Sequence, residues 1–128
     1  MPTICWFRRD LRLSDHPALV AAVEEARTAG DEVVALYVVD PALWRTAGAQ
    51  RLAYLAASLR ALDDATGGHL VVRHGRAERV VPAVAREVAA TSVHVSAATE
   101  PYGRRRDDAV GSALDVPLVR TGCPYAVA

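Results

Sequence analysis

The sequence predicts an α/β protein: a doubly wound, five-stranded parallel sheet with helices on both faces. Three observations carry this expectation. Five apolar runs alternate with four helical patterns along the 128 residues. The two longest runs, Thr3 to Phe7 and Glu32 to Val39, are rich in β-branched residues and nearly unbroken, as strands buried on both faces are. No repeat or linker divides the chain, and 52% of it is hydrophobic, enough for the core of one domain.

The elements follow in order. Thr3 to Phe7 is the first strand, and the first helix opens near Ser14 or Asp15 as N-cap, with Pro17 in its first turn and Gly30 as its stop. Glu32 to Val39 is the second strand. The second helix runs from about Ala49 to Thr66, with Leu52, Leu55, Leu59 and Leu62 on one stripe, and ends at Gly67-Gly68. His69 to Arg73 is a short third strand, and the third helix places Val81, Val84 and Val88 on one face. Ser92 to Ser96 is the fourth strand; the fourth helix starts near Tyr102 and fades by Asp115, before a weak fifth strand at Pro117 to Val119. Right-handed crossovers make the strand order 3-2-1-4-5, a Rossmann-like winding.

Composition removes several kinds of function. Fifteen basic residues balance fifteen acidic ones, so no net field draws the chain to nucleic acid or to a membrane. Every basic residue is arginine, which excludes a lysine Schiff base and a Walker-type phosphate lysine within the chain. Cys5 and Cys123 have neither disulfide-framework nor zinc spacing, and Cys5 reads as a buried core thiol. Charge arrives by Arg8, too early for the apolar region of a signal peptide, and no run approaches membrane-spanning length. The expectation is a cytoplasmic protein with no membrane and no metal partner.

In a doubly wound sheet the ligand site lies beyond the carboxyl ends of the strands, where the winding reverses. The loops there, Arg8 to Asp15, Asp40 to Gly48 and Ala97 to Gly103, are also the most unusual stretches of the sequence. The first holds Arg8, Arg9 and Arg12 with Asp10 and Asp15, a set able to pin the first helix or to wall a ligand cleft. No G-x-G-x-x-G follows the first strand, so a standard dinucleotide site is not expected. Past the fourth strand, Glu100 offers an acceptor and Tyr102 a stacking ring, while the run Arg104-Arg105-Arg106 is either a solvated face or an anion contact. His16, His69, His74 and His94 are scattered without metal spacing, and His94, between Val93 and Val95, reads as a hydrogen-bonded strand residue. With no G-x-S-x-G elbow and no spaced carboxylate pair, the chain reads as a binding domain without catalytic machinery of its own.

Four segments then become specific. Trp6-Phe7-Arg8-Arg9-Asp10-Leu11-Arg12-Leu13-Ser14-Asp15-His16-Pro17-Ala18-Leu19 resembles the amino-terminal signature of DNA photolyases and cryptochromes. Leu36-Tyr37-Val38-Val39-Asp40-Pro41, Arg51-Leu52-Ala53-Tyr54-Leu55 and Glu100-Pro101-Tyr102-Gly103-Arg104-Arg105-Arg106-Asp107 are similar to later motifs of the same family, in the same order. The resemblance implies an amino-terminal antenna domain over 1–121, with residues 122–128 starting the linker to a helical domain that carries FAD and is absent from this chain. The parent would then be a deoxyribodipyrimidine photo-lyase, a carbon–carbon lyase that repairs pyrimidine dimers in damaged DNA by light-driven electron transfer. The antenna would bind a second chromophore and pass excitation to FAD, and the 128 residues alone would be inactive. DNA would be met through the helical domain, and an exposed apolar patch is expected where that domain docks.

The resemblance also implies a chromophore and the residues that hold it. Ala47 and Tyr102-Gly103 stand where folate-type members carry a histidine and an Asn-Glu pair, whereas the Glu-Pro-Tyr-Gly-Arg run is similar to deazaflavin-type cyclobutane-dimer photolyases. Deazaflavin is therefore favoured over folate or flavin. Ala98 departs from the polar residue expected there. Carried over position by position, the cleft uses Arg9, Asp10, Asp40, Arg51, Glu100 and Tyr102, with Phe7 and Leu55 as apolar walls. Two alternatives stand beside this reading. The same domain could come from a cryptochrome photoreceptor, which repair activity of the full-length parent would separate. The chain could also be a free-standing nucleotide-binding α/β protein, which would bind a nucleotide without near-ultraviolet or blue colour.

Overall fold

The structure is a computed structural model, and it describes residues 1–8, 16–41, 45, 48–98 and 101–121. Five strands, β1 (Thr3–Phe7), β2 (Val33–Val39), β3 (Val71–His74), β4 (Ser92–Ser96) and β5 (Leu118–Thr121), form one sheet in the order β3-β2-β1-β4-β5. Every pairing is parallel, with Cys5 beside Ala35 on one side and His94 on the other. Four helices connect them: α1 (Pro17–Ala29), α2 (Ala49–Ala65), α3 (Ala77–Val88) and α4 (Pro101–Ala113). The doubly wound order expected from the sequence is the order observed.

All five residues of β1 are buried, because the central strand is covered on both faces. Ile4 and Trp6 point into a core shared with Leu36, Val81, Val84, Val93, Val95 and Val110, which is the layer of α3 and α4. Cys5 and Phe7 point the other way, toward Ala22 of α1 and Leu62 of α2. Helix α1 meets the sheet through Ala18, Ala22 and Ala26, spaced four apart on one stripe. Their small side chains let the helix lie close to β1 and β4.

Several boundaries differ from the sequence expectation, and three of them have a clear local cause. Helix α1 begins at Pro17, and its N-cap is His16, whose Nδ1 accepts the Leu19 N–H at 3.1 Å. The imidazole thus does the work expected of a hydroxyl or carboxylate, while Ser14 and Asp15 lie outside the described residues. Strand β3 starts two residues late, because Gly67 and Gly68 turn at positive φ and the Leu70 N–H goes to Asp63 Oδ1. Strand β5 starts at Leu118: proline has no N–H to give a ladder, and the Pro117 carbonyl only receives Val93 N–H at 3.0 Å. The turn after β3 needs its glycine. Gly75 has φ +137°, and a Cβ there would lie 2.8 Å from Val80 Cγ2.

A polar cluster ties α1 to the amino ends of β1 and β4. The Glu25 carboxylate accepts Thr3 Oγ1 at 3.0 Å, Thr91 Oγ1 at 3.2 Å and the Ser92 hydroxyl. His94, buried as expected, places Nε2 3.3 Å from Glu25 Oε1. These contacts, the Ser92 hydroxyl foremost, hold the Glu25 carboxyl below its ordinary value against the opposing effect of burial. A carboxyl lowered on folding stabilises the protein fully above its ordinary pKa, and that contribution is lost as pH falls through the lowered folded value. Stability to urea should therefore decline below about pH 4.5, the ordinary value. Glu25→Gln should flatten that acid limb while lowering stability at neutral pH, measured as urea midpoints from pH 7 to pH 3.

Candidate functional site

The winding reverses between β1 and β4, and in a doubly wound sheet that reversal is where a ligand crevice is expected, at the carboxyl ends of the strands. Arg8 leaves β1 on the same face as Trp6, two residues earlier. Its Nη1 lies 2.5 Å from Asp107 Oδ1 on α4, and its Nη2 donates to the Ser96 carbonyl at the end of β4. One guanidinium therefore bridges the exits of both diverging strands and the helix that follows the second. Asp107 is 1% exposed, and it sits on the inner stripe of α4 between Gly103 and Val110.

Two cations share the Trp6 ring. The Arg8 guanidinium carbon lies 5.0 Å from its centroid and that of Arg106 5.8 Å, and Arg106 also stands 6.0 Å from the Tyr102 ring. On the other face Phe7 packs edge-on against His16, with centroids 5.0 Å apart. Beside Phe7 in register, Tyr37 is buried, and burial raises its phenol pKa.

Of the expected cleft residues, Phe7 is fully buried at the end of β1, so it lies beneath any ligand surface. Asp40 follows β2 directly and is half-buried. Arg51 is exposed in the first turn of α2, and Leu55 is half-buried one turn later. Tyr102 is 62% exposed in the first turn of α4. All five stand at the carboxyl end of the sheet, but Arg51 and Leu55 belong to the α1–α2 layer and Tyr102 to the α3–α4 layer. They can meet one ligand only across the rim of the sheet. Arg9, Asp10 and Glu100 lie outside the described residues.

The leucine stripe of α2 is unevenly filled. Leu62 is 2% exposed in the core, whereas Leu52, Leu55 and Leu59, nearer the carboxyl end of the sheet, remain only half-buried. An apolar stripe that closes at one end and stays partly open at the other is a wall suited to a flat ligand. Among the described residues there is no group of three His, Cys, Asp or Glu side chains able to hold a metal, and no helix is long and apolar enough to cross a membrane.

Sequence reasoning missed the pairing of Arg8 with Asp107. Its signal was a charged residue on the inner stripe of an otherwise polar helix, four residues after Gly103 and three before Val110. Glu25, which gathers three hydroxyls and an imidazole, carried no comparable signal, because its partners come from strands far away in sequence. Removing one member of a buried pair strands the other, at a cost of about 3–5 kcal/mol. Asp107→Ala should lower unfolding free energy by about that much, against less than about 1 kcal/mol for Asp108→Ala, whose exposed carboxylate meets Arg120 at 2.8 Å; chemical denaturation of both variants checks this.

Comparison with known proteins agrees with this fold. The family model for DNA photolyase matches residues 3–123. A deoxyribodipyrimidine photo-lyase of Thermus thermophilus is 40% identical over 127 residues, covering 97% of this chain and 29% of that protein. The crystal structure of a bacterial class III photolyase from Agrobacterium tumefaciens superposes with a TM-score of 0.80 at 33% identity, over 94% of this chain and 25% of that one. An archaeal photolyase from Sulfolobus tokodaii, solved with two FAD molecules, gives a TM-score of 0.74 at 26% identity, over 94% of this chain and 29% of that one. The chain thus spans under a third of the length of each of these three proteins, and it belongs to the DNA photolyase family.

Proposed function

We propose that this chain is the light-harvesting domain of a deoxyribodipyrimidine photolyase, binding an antenna chromophore of the deazaflavin type at the carboxyl end of its sheet. The parent protein would carry FAD on a separate helical domain, meet damaged DNA through that domain and reverse pyrimidine dimers in light. The supporting observation is the set of residues at the carboxyl end of the sheet. The half-buried stripe Leu52, Leu55 and Leu59 stands there with Asp40 and the exposed Arg51, at the end of the sheet where the winding reverses.

The chemistry asked of such a site is modest. A bound antenna pigment absorbs light and passes its excitation on without making or breaking bonds, so the protein need only hold a flat ring in a fixed orientation and keep water from it. Leu55 supplies an apolar wall, with Phe7 as the packed layer beneath, and Tyr102 supplies aromatic area. Arg9 and Arg51 pair with anionic or carbonyl groups, Asp10 and Asp40 orient those guanidinium groups, and Glu100 accepts from a ring or ribityl donor. A flavin is the second reading, supported by the Sulfolobus tokodaii structure with two FAD molecules, whose description implicates a novel light-harvesting cofactor.

Incubation of the purified chain with deazaflavin, FMN and a reduced folate in separate arms tests the assignment by absorption and equilibrium titration. Deazaflavin should bind most tightly. Arg51→Ala and Glu100→Ala should each weaken it about 10- to 100-fold, the range of one charge-assisted hydrogen bond. Failure of all three pigments to bind would overturn the reading, and unchanged affinity in both variants would overturn the placement. The chain by itself should reverse no thymine dimers under light.

A further inference from the structure

Trp6, Tyr102, Arg8, Arg106 and Asp107 form a single cluster above the switch point, and one carboxylate serves both cations. Asp107 Oδ1 lies 2.5 Å from Arg8 Nη1 and 3.5 Å from Arg106 Nε. The second of these is an ion pair without a hydrogen bond: Arg106 Nε is buried with no hydrogen-bond partner, and so is Asp107 Oδ2. A buried carboxylate with an unsatisfied oxygen is a poor source of stability, since an apolar residue on the same inner stripe would pack against Val110 and Trp6 without that penalty. What the carboxylate does supply is geometry. It neutralises two guanidinium groups that would otherwise repel each other across the face of one indole ring. The Arg106 guanidinium lies between that buried indole and the Tyr102 ring, which is 62% exposed beside the crevice.

We propose that Asp107 is a positioning residue of the chromophore cleft: it fixes Arg106 between Trp6 and Tyr102 and so sets the aromatic face that Tyr102 presents to the ligand. The proposal rests on the antenna reading above and deepens it. Asp107 touches no ligand; it acts through Arg106, and it holds Arg8 at the same time. Without its charge the two guanidinium groups separate, Arg106 leaves the indole, and Tyr102 loses its support.

Asp107→Asn keeps the shape of the side chain and removes its charge. Arg106→Met keeps the length and packing of the stem, removes the cation and leaves the Arg8–Asp107 pair intact, so it should fold even if Asp107→Asn does not. Binding of deazaflavin and of FMN to the full chain is measured by titration. Induced circular dichroism of the bound pigment reports its orientation, and the Tm of each variant is recorded alongside. Both variants should weaken binding at least fivefold and change the amplitude or sign of the induced dichroism, with Arg106→Met within a few degrees of the parent Tm. Arg106→Lys should recover part of the signal. Affinities within twofold of the parent and an unchanged dichroism in Arg106→Met would overturn the proposal, leaving Asp107 as a staple of the fold. Absence of binding by the parent chain would instead overturn the antenna reading, and this assignment with it.

Discussion

The carboxyl end of this sheet depends on one contact, the guanidinium of Arg8 held by Asp107 and the Ser96 carbonyl. A doubly wound sheet sends the chains leaving its two central strands in opposite directions, and nothing in the backbone ladder joins them beyond the last pair of strand residues. Arg8 makes that join. It ties the start of the loop after β1 to the end of β4 and to α4, so the rims of the crevice have a fixed separation. The ion pair is buried, and its cost in desolvation is offset by two cation–π contacts on Trp6 and by the carbonyl acceptor. Such an arrangement serves a site in which orientation matters more than reactivity.

The two ends of the sheet are built differently. At the amino end α1 lies close on its alanines, and Glu25 gathers hydroxyls and an imidazole from β1, β4 and Thr91. At the carboxyl end Leu52, Leu55 and Leu59 of α2 are only half-buried, and Arg51, Tyr54 and Tyr102 are exposed. Of the exposed large apolar side chains, Val20 and Val23 are neighbours on the outer face of α1, while Val72 lies on β3 at the edge of the sheet.

How much of this could be read from the sequence varied with the range of the interaction. β1 and β4 were legible to the residue: β1 is nearly all apolar, as a strand covered on both faces is, and in β4 the apolar Val93 and Val95 alternate with Ser92, His94 and Ser96. The ends of β3 and β5 were not, since they depend on an Asp63 side chain reaching back to Leu70 and on a proline with no N–H to give. The helix N-cap was misplaced because histidine is an uncommon cap; its ring works here only because packing against Phe7 holds it in place. The leucine periodicity of α2 was plain, but which leucines would find a partner was not, since that depends on where the neighbouring strands end. Topology and composition together pointed to the loops at the carboxyl end of the sheet, and Asp40, Arg51 and Tyr102 stand at that end. The pairing that organises the site joins residues 99 apart in the chain, a relation that no local pattern encodes.

The account stands on energetic coupling between Arg8 and Asp107, and a double-mutant cycle measures that directly. Unfolding free energies of the parent, Arg8→Ala, Asp107→Ala and the double variant should show a coupling of about 1.5–3 kcal/mol, the double variant losing clearly less than the sum of the two single losses. Additivity within about 0.5 kcal/mol would mean that the two side chains contribute independently, and it would contradict the claim that their contact holds the crevice together.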